Sequence, residues 1–62
     1  MKLTEKIKAA KKFGQEAQER GEQRIAALDT NLQKLIADLP VGGGAAKILM
    51  AWYAGYDLAN LA

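Results

Sequence analysis

Residues 14–24 read Gly14-Gln15-Glu16-Ala17-Gln18-Glu19-Arg20-Gly21-Glu22-Gln23-Arg24. The architecture of the chain turns on whether this stretch is helix or linker. Against helix stand two glycines, each about 1 kcal/mol worse than alanine in a helix interior, and a lack of large apolar side chains. For helix stand the strong formers Gln, Glu, Arg and Ala, and the opposite-charge i,i+4 pairs Lys12–Glu16 and Glu16–Arg20. Helical spacing also survives the stretch. Leu3, Ile7, Ala10, Gly14, Ala17 and Gly21 step alternately by four and three, and Ile25, Leu28, Leu32, Leu35 and Leu39 resume the series. We therefore read one continuous helix over about 4–39, with Thr4 as N-cap. The alternatives are a break near 29–31, where Thr30 and Gln33 fit a capping box, and a disordered middle.

The C-terminal third is simpler. Pro40 disfavours helix at Leu39, and Val41-Gly42-Gly43-Gly44 completes a turn over 40–44. A second, shorter helix follows over about 45–61. The expected fold is all-α: a single small domain over 1–62, shaped as a helical hairpin or an L, and stable mainly as an oligomer or polymer.

That last expectation comes from the seams. In the second helix, Ile48, Leu49, Trp52, Tyr56 and Ala59 lie on one stripe, read as a self-assembly core. Its opposite side carries Met50, Ala51, Ala54, Leu58 and Leu61 among few polar residues. A helix apolar nearly all round must be buried on all sides or lie in lipid. At ~1.5 Å per residue the first helix would run ~54 Å and the second ~26 Å, so much of the first would project unpaired. Ile25, Leu28, Leu32, Leu35 and Leu39 are the expected hairpin core. Ala10, Gly14, Ala17 and Gly21 form a small-residue seam that lets a neighbouring helix approach closely.

Composition narrows the function. The chain has 62 residues, no cysteine and no histidine, so disulfides, Cys/His zinc sites and His- or Cys-based catalysis are excluded. No catalytic motif, phosphate loop, cofactor site or metal site is recognisable, and a chain this short does not wrap an ordinary substrate pocket. We read it as non-enzymatic. Lys2, Lys6, Lys8, Lys11 and Lys12 crowd the first twelve residues against Glu5 alone, although the whole chain carries only +2. Cations near a helix N-terminus oppose its dipole, which points to an anionic partner such as nucleic acid or anionic lipid. No signal peptide is evident, and Lys47, Asp57 and Asn60 interrupt the most apolar stretch.

The expected function is a structural self-assembling subunit of a filament, tube or coat, with its basic end facing an anionic partner. In architecture it is similar to secretion-needle and virion-coat subunits, which are short, helical and stable as polymers. A membrane-associated amphipathic peptide and a nucleic-acid-binding helical homo-oligomer are the competing expectations.

Overall fold

The computed structural model describes residues 2–37, 39 and 43–61. Helix α1 spans Leu3–Glu19, α2 spans Thr30–Ile36 and α3 spans Ala45–Leu61, with a 3₁₀ turn at Ala26–Leu28. Among the described residues all regular structure is helical.

The long first helix is present, but it ends at Glu19 and does not continue to residue 39. Gly21 stops it. This residue sits at a φ of 76°, in the left-handed region that glycine enters without steric cost. There the Gly21 N–H donates to the Gln18 carbonyl and the Glu22 N–H to the Ala17 carbonyl, both at 2.9 Å. These paired bonds are a Schellman stop. The apolar spacing runs on through it, but the helix does not. At the other end Lys2, not Thr4, takes the N-cap position, and its backbone N–H donates to the Glu5 carboxylate at 3.4 Å.

The chain then runs irregularly to Asp29. The Asp29 carboxylate accepts from the Asn31 and Leu32 backbone N–H groups at 2.9 and 3.2 Å and so opens α2. A break near 29–31 therefore exists, with Asp29 rather than Thr30 as its cap. Gly43 and Gly44 lead irregularly into α3, whereas Pro40, Val41 and Gly42 of the expected turn lie outside the described residues.

The chain is hairpin-like in doubling back, but it does so twice, so α1 and α3 run parallel. Gly44 faces the Leu3 side chain, Gly55 faces the Lys11 backbone, and Gln18 donates to Asn60 at 3.3 Å. Helix α3 is not the shorter of the pair; each has 17 residues. No half of α1 projects unpaired, and the longest dimension is 33 Å.

The two long helices touch backbone to backbone. A methyl group on Gly14 would overlap the Trp52 carbonyl and lie 2.9 Å from the Tyr56 amide nitrogen. A methyl group on Gly55 would overlap the Lys11 carbonyl. Ala10 and Ala17, one turn either side of Gly14, are fully buried. The small-residue seam thus does admit a helix at close range, and that helix is α3 of the same chain. Gly21 is not part of it, since nothing lies within 4 Å of the side chain it lacks. With Ala26, Leu32, Ile48 and Trp52, the two alanines form the buried core, flanked by Leu3, Ile7, Phe13, Leu35, Ile36 and Leu39 among others.

Two effects oppose each other at Gly14 and Gly55. Helix propensity alone makes Gly→Ala stabilising by up to about 1 kcal/mol. The crossing makes it overpacking, which costs about 1–3 kcal/mol. Gly14→Ala and Gly55→Ala should each lose stability in urea denaturation; a gain in both would contradict the backbone contact. Gly21→Ala should lose about 1–2 kcal/mol through its left-handed φ, and Gly21→Asn less.

Candidate interaction surface

Helix α3 organises the molecule through its aromatic residues. Trp52 is buried, with Tyr56 stacked on it at 5.3 Å and Tyr53 edge-on at 5.2 Å between ring centroids. Each ring also carries a polar group, and each polar group holds the loop that returns from α1. The Trp52 indole Nε1–H donates to Asp29 Oδ2 at 2.8 Å, the Tyr53 hydroxyl accepts from the Ala26 N–H at 3.3 Å, and the Tyr56 hydroxyl donates to the Glu22 carbonyl at 2.5 Å.

Outside this layer, the Arg24 guanidinium lies 4.6 Å over the Tyr53 ring and forks onto Asp57 at 2.7 and 2.8 Å. The hydrogen bond from Arg24 holds the Asp57 carboxyl below its ordinary range, and the same bond raises Arg24. The pair is exposed, so it orients the loop more than it stabilises it.

These contacts reassign much of the expected site. Ile48, Leu49, Trp52, Tyr56 and Ala59 were expected to bury against other subunits. Ile48 and Trp52 are buried and Leu49, Tyr56 and Ala59 half-buried within a single chain. Ile48 and Trp52 belong to its own core, and Leu49 and Tyr56 pack against that core. Of the expected hairpin core, Leu32 is buried and Leu35 and Leu39 half-buried, but Ile25 and Leu28 are exposed. The cause is again the stop at Gly21, which takes both residues out of helical register.

Lys6 departs furthest from expectation. It is only 5% exposed, and its ammonium donates to the Leu35 carbonyl at 3.0 Å. A cation that opposes its own helix dipole here meets the C-terminal carbonyls of α2, where a positive charge is favourable. It is not available to an anionic partner. Lys2, Lys8, Lys11 and Lys12 remain exposed.

Among the described residues, two apolar features stand on the outside. The first is the outer face of α3. Met50 is 70% exposed and Leu61 83%, with Leu58 and Ala54 exposed on the same side. The second is a pocket of about 210 Å³ lined by Gly21, Glu22, Gln23, Ile25, Leu28, Asp29 and Trp52. Among the described residues no helix is long and apolar enough to cross a membrane. No protein-family model, curated protein or solved structure matches the chain.

Asp29 joins α2 to α3 through three accepted hydrogen bonds. Removing it deletes an N-cap and leaves a buried indole N–H without an acceptor, costs of about 0.5–2 and 1–3 kcal/mol. Asp29→Ala should therefore destabilise the fold by about 2–4 kcal/mol in denaturant titrations, and Asp29→Asn, which keeps an acceptor oxygen, by less. Equal losses for the two variants would remove the hydrogen bonds as the cause.

Proposed function

We propose that the protein is a non-catalytic, self-associating structural subunit whose contact surface is the outer face of α3. The observation that carries this reading is the exposed stripe of Met50, Ala54, Leu58 and Leu61 on a helix whose other side is already committed to the core. Continuous apolar surface of this kind marks association. Size adds to it: below about 70–80 residues a single core seldom supplies more than about 3–5 kcal/mol. This chain has no cysteine to make up the difference by a disulfide. Contact with a second copy supplies the missing burial.

The proposal narrows what the sequence suggested. The subunit of such a filament, tube or coat is a short three-helix body, without a long projecting helix to stagger against neighbours.

A second reading concerns charge. Lys8, Lys11 and Lys12 are exposed on α1, and Lys47 is exposed on α3. Lys11 lies at the helix crossing, where its backbone meets Gly55, so this basic group borders the α3 face. An anionic surface, lipid or nucleic acid, fits that border. Replacing Lys8, Lys11 and Lys12 together by Gln should weaken salt-sensitive binding to phosphatidylserine vesicles or to an oligonucleotide by at least tenfold, at about 1 kcal/mol per lysine near an anionic membrane. Binding of neither probe by the unmodified chain would dispose of this second reading.

Self-association is checked by sedimentation equilibrium over a range of concentrations. The chain should exceed its 6.7 kDa monomer mass in a concentration-dependent way. Met50→Glu with Leu58→Glu should return it to monomer with unchanged helix content. Burial of each such side chain is worth about 1.5–3 kcal/mol, so the association constant should fall by two to four orders of magnitude. A mass that stays monomeric at every concentration would overturn the proposal.

A further inference from the structure

The basic group of α1 and the apolar stripe of α3 belong to one surface. Gly14 marks the side of α1 that meets α3, and Gly55 the side of α3 that meets α1. At ~100° per residue, Lys11 and Lys8 stand about 60° and 120° round α1 from Gly14, while Ala10, Ala17 and Lys6 turn the other way. Lys6 reaches the Leu35 carbonyl of α2, so Lys11 and Lys8 lie on the side away from α2. On α3, Leu58, Lys47, Ala54, Leu61 and Met50 follow at about 60° to 140° from Gly55, and Trp52 lies about 60° in the opposite sense. Trp52 bonds to Asp29, the N-cap of α2. Both helices therefore turn these residues to one face, opposite α2.

That face joins two kinds of group. Met50, Ala54, Leu58 and Leu61 are exposed and apolar. Lys8, Lys11 and Lys47 are exposed beside them, and among the described residues none of the three has an ion-pair partner. The acids nearby do not neutralise them. Asp57, at the other edge of the stripe, is taken by Arg24. Glu5 and Glu16 point about 160–180° from Gly14, and Glu19 stands at the far end of α1.

The combination selects among partners. A second copy covers the apolar stripe but brings three more lysines towards it. Nucleic acid meets the lysines and leaves the stripe bare. The rings on which bases would stack, Trp52, Tyr53 and Tyr56, are turned to the returning loop with their polar atoms engaged. An anionic bilayer meets both features, with phosphates for the lysines and acyl chains for the stripe.

We infer that the protein docks flat on an anionic bilayer through this face. Met50, Leu58 and Leu61 enter the upper acyl region, and Lys8, Lys11 and Lys47 sit at the headgroup phosphates. This rests on the basic-group reading above and commits it to lipid. Among the described residues no helix is long and apolar enough to cross a membrane, and this docking asks for none, since an interfacial helix is immersed by only ~5–10 Å. The stripe is also the proposed contact between copies, so bilayer and second copy exclude each other there.

The chain has no cysteine, so a single introduced one can carry a polarity-sensitive dye. Met50→Cys labels the face, and Gln33→Cys labels an exposed position on α2. With phosphatidylserine–phosphatidylcholine vesicles, the dye at 50 should shift to the blue and the dye at 33 should not; pure phosphatidylcholine should shift neither. In vesicle co-sedimentation, replacing Lys8, Lys11 and Lys47 together by Gln should weaken binding at least about tenfold. Met50→Ser with Leu58→Ser should weaken it about a hundredfold, with helix content checked by circular dichroism. If that double variant binds vesicles as tightly as the unmodified chain, or the dye at 50 stays in water while the chain binds, the docking is overturned and the charge-based reading stands. Binding of an oligonucleotide but not of vesicles has the same consequence. Equal binding to pure phosphatidylcholine would refute the anionic headgroup as partner. If neither vesicles nor oligonucleotide are bound, the basic-group reading falls together with the docking.

Discussion

The structure depends on one crossing, where the backbones of α1 and α3 meet at Gly14 and Gly55. Two helices carrying ordinary side chains keep their axes about 8–10 Å apart. Two facing glycines remove that spacing, and each leaves room for a carbonyl of the other helix. Several features follow. Ala10 and Ala17 become fully buried with little side-chain volume, and Trp52 can spread over the remaining surface to serve as the main core group. With α1 held along one flank of α3, the returning segment must cover the other.

That covering is done by polar bonds at the tips of aromatic rings. Trp52 buries its ring, Tyr53 and Tyr56 half-bury theirs, and each spends a donor or acceptor on the chain between Glu22 and Asp29. The Trp52 indole N–H is costly to bury unpartnered, so its bond to Asp29 does most to fix the loop's position. Asp29 is the most connected of the partners, since the carboxylate that receives Trp52 also opens α2. The loop that results is the wall of the pocket. Ile25 and Leu28 are outside because the segment carrying them is tied down by its backbone, by Arg24 and by Asp29, and not by their own burial.

The proposed association rests on what these commitments leave over. Helix α3 is apolar nearly all round, and one chain of this length has two short partners for it. One side takes α1, another takes the returning loop and α2, and the last faces outward as Met50, Ala54, Leu58 and Leu61. The α3 side that carries Trp52 ends in the pocket. The outward face is thus what remains when a central helix finds partners for only part of its circumference.

The all-helical class, a long N-terminal helix and a C-terminal helix were legible in the spacing of apolar residues, because helical periodicity is a local property. The surplus apolar side of the last helix was legible too, since Met50, Leu58 and Leu61 share a side at any helical register. Three things were decided only in three dimensions. Gly21 looked like one more member of a small-residue seam; its left-handed φ depends on the stop that forms around it, and spacing carries no sign of φ. Lys6 looked like part of a solvent-facing basic cluster; it is buried because the α2 carbonyls it meets are 29 residues away in sequence. Trp52 looked like a contact between subunits; it lies inside one chain because Gly14 and Gly55 bring α1 against it. Periodicity tells which sides of a helix seek cover, and only the tertiary crossing decides whether the cover comes from the same chain.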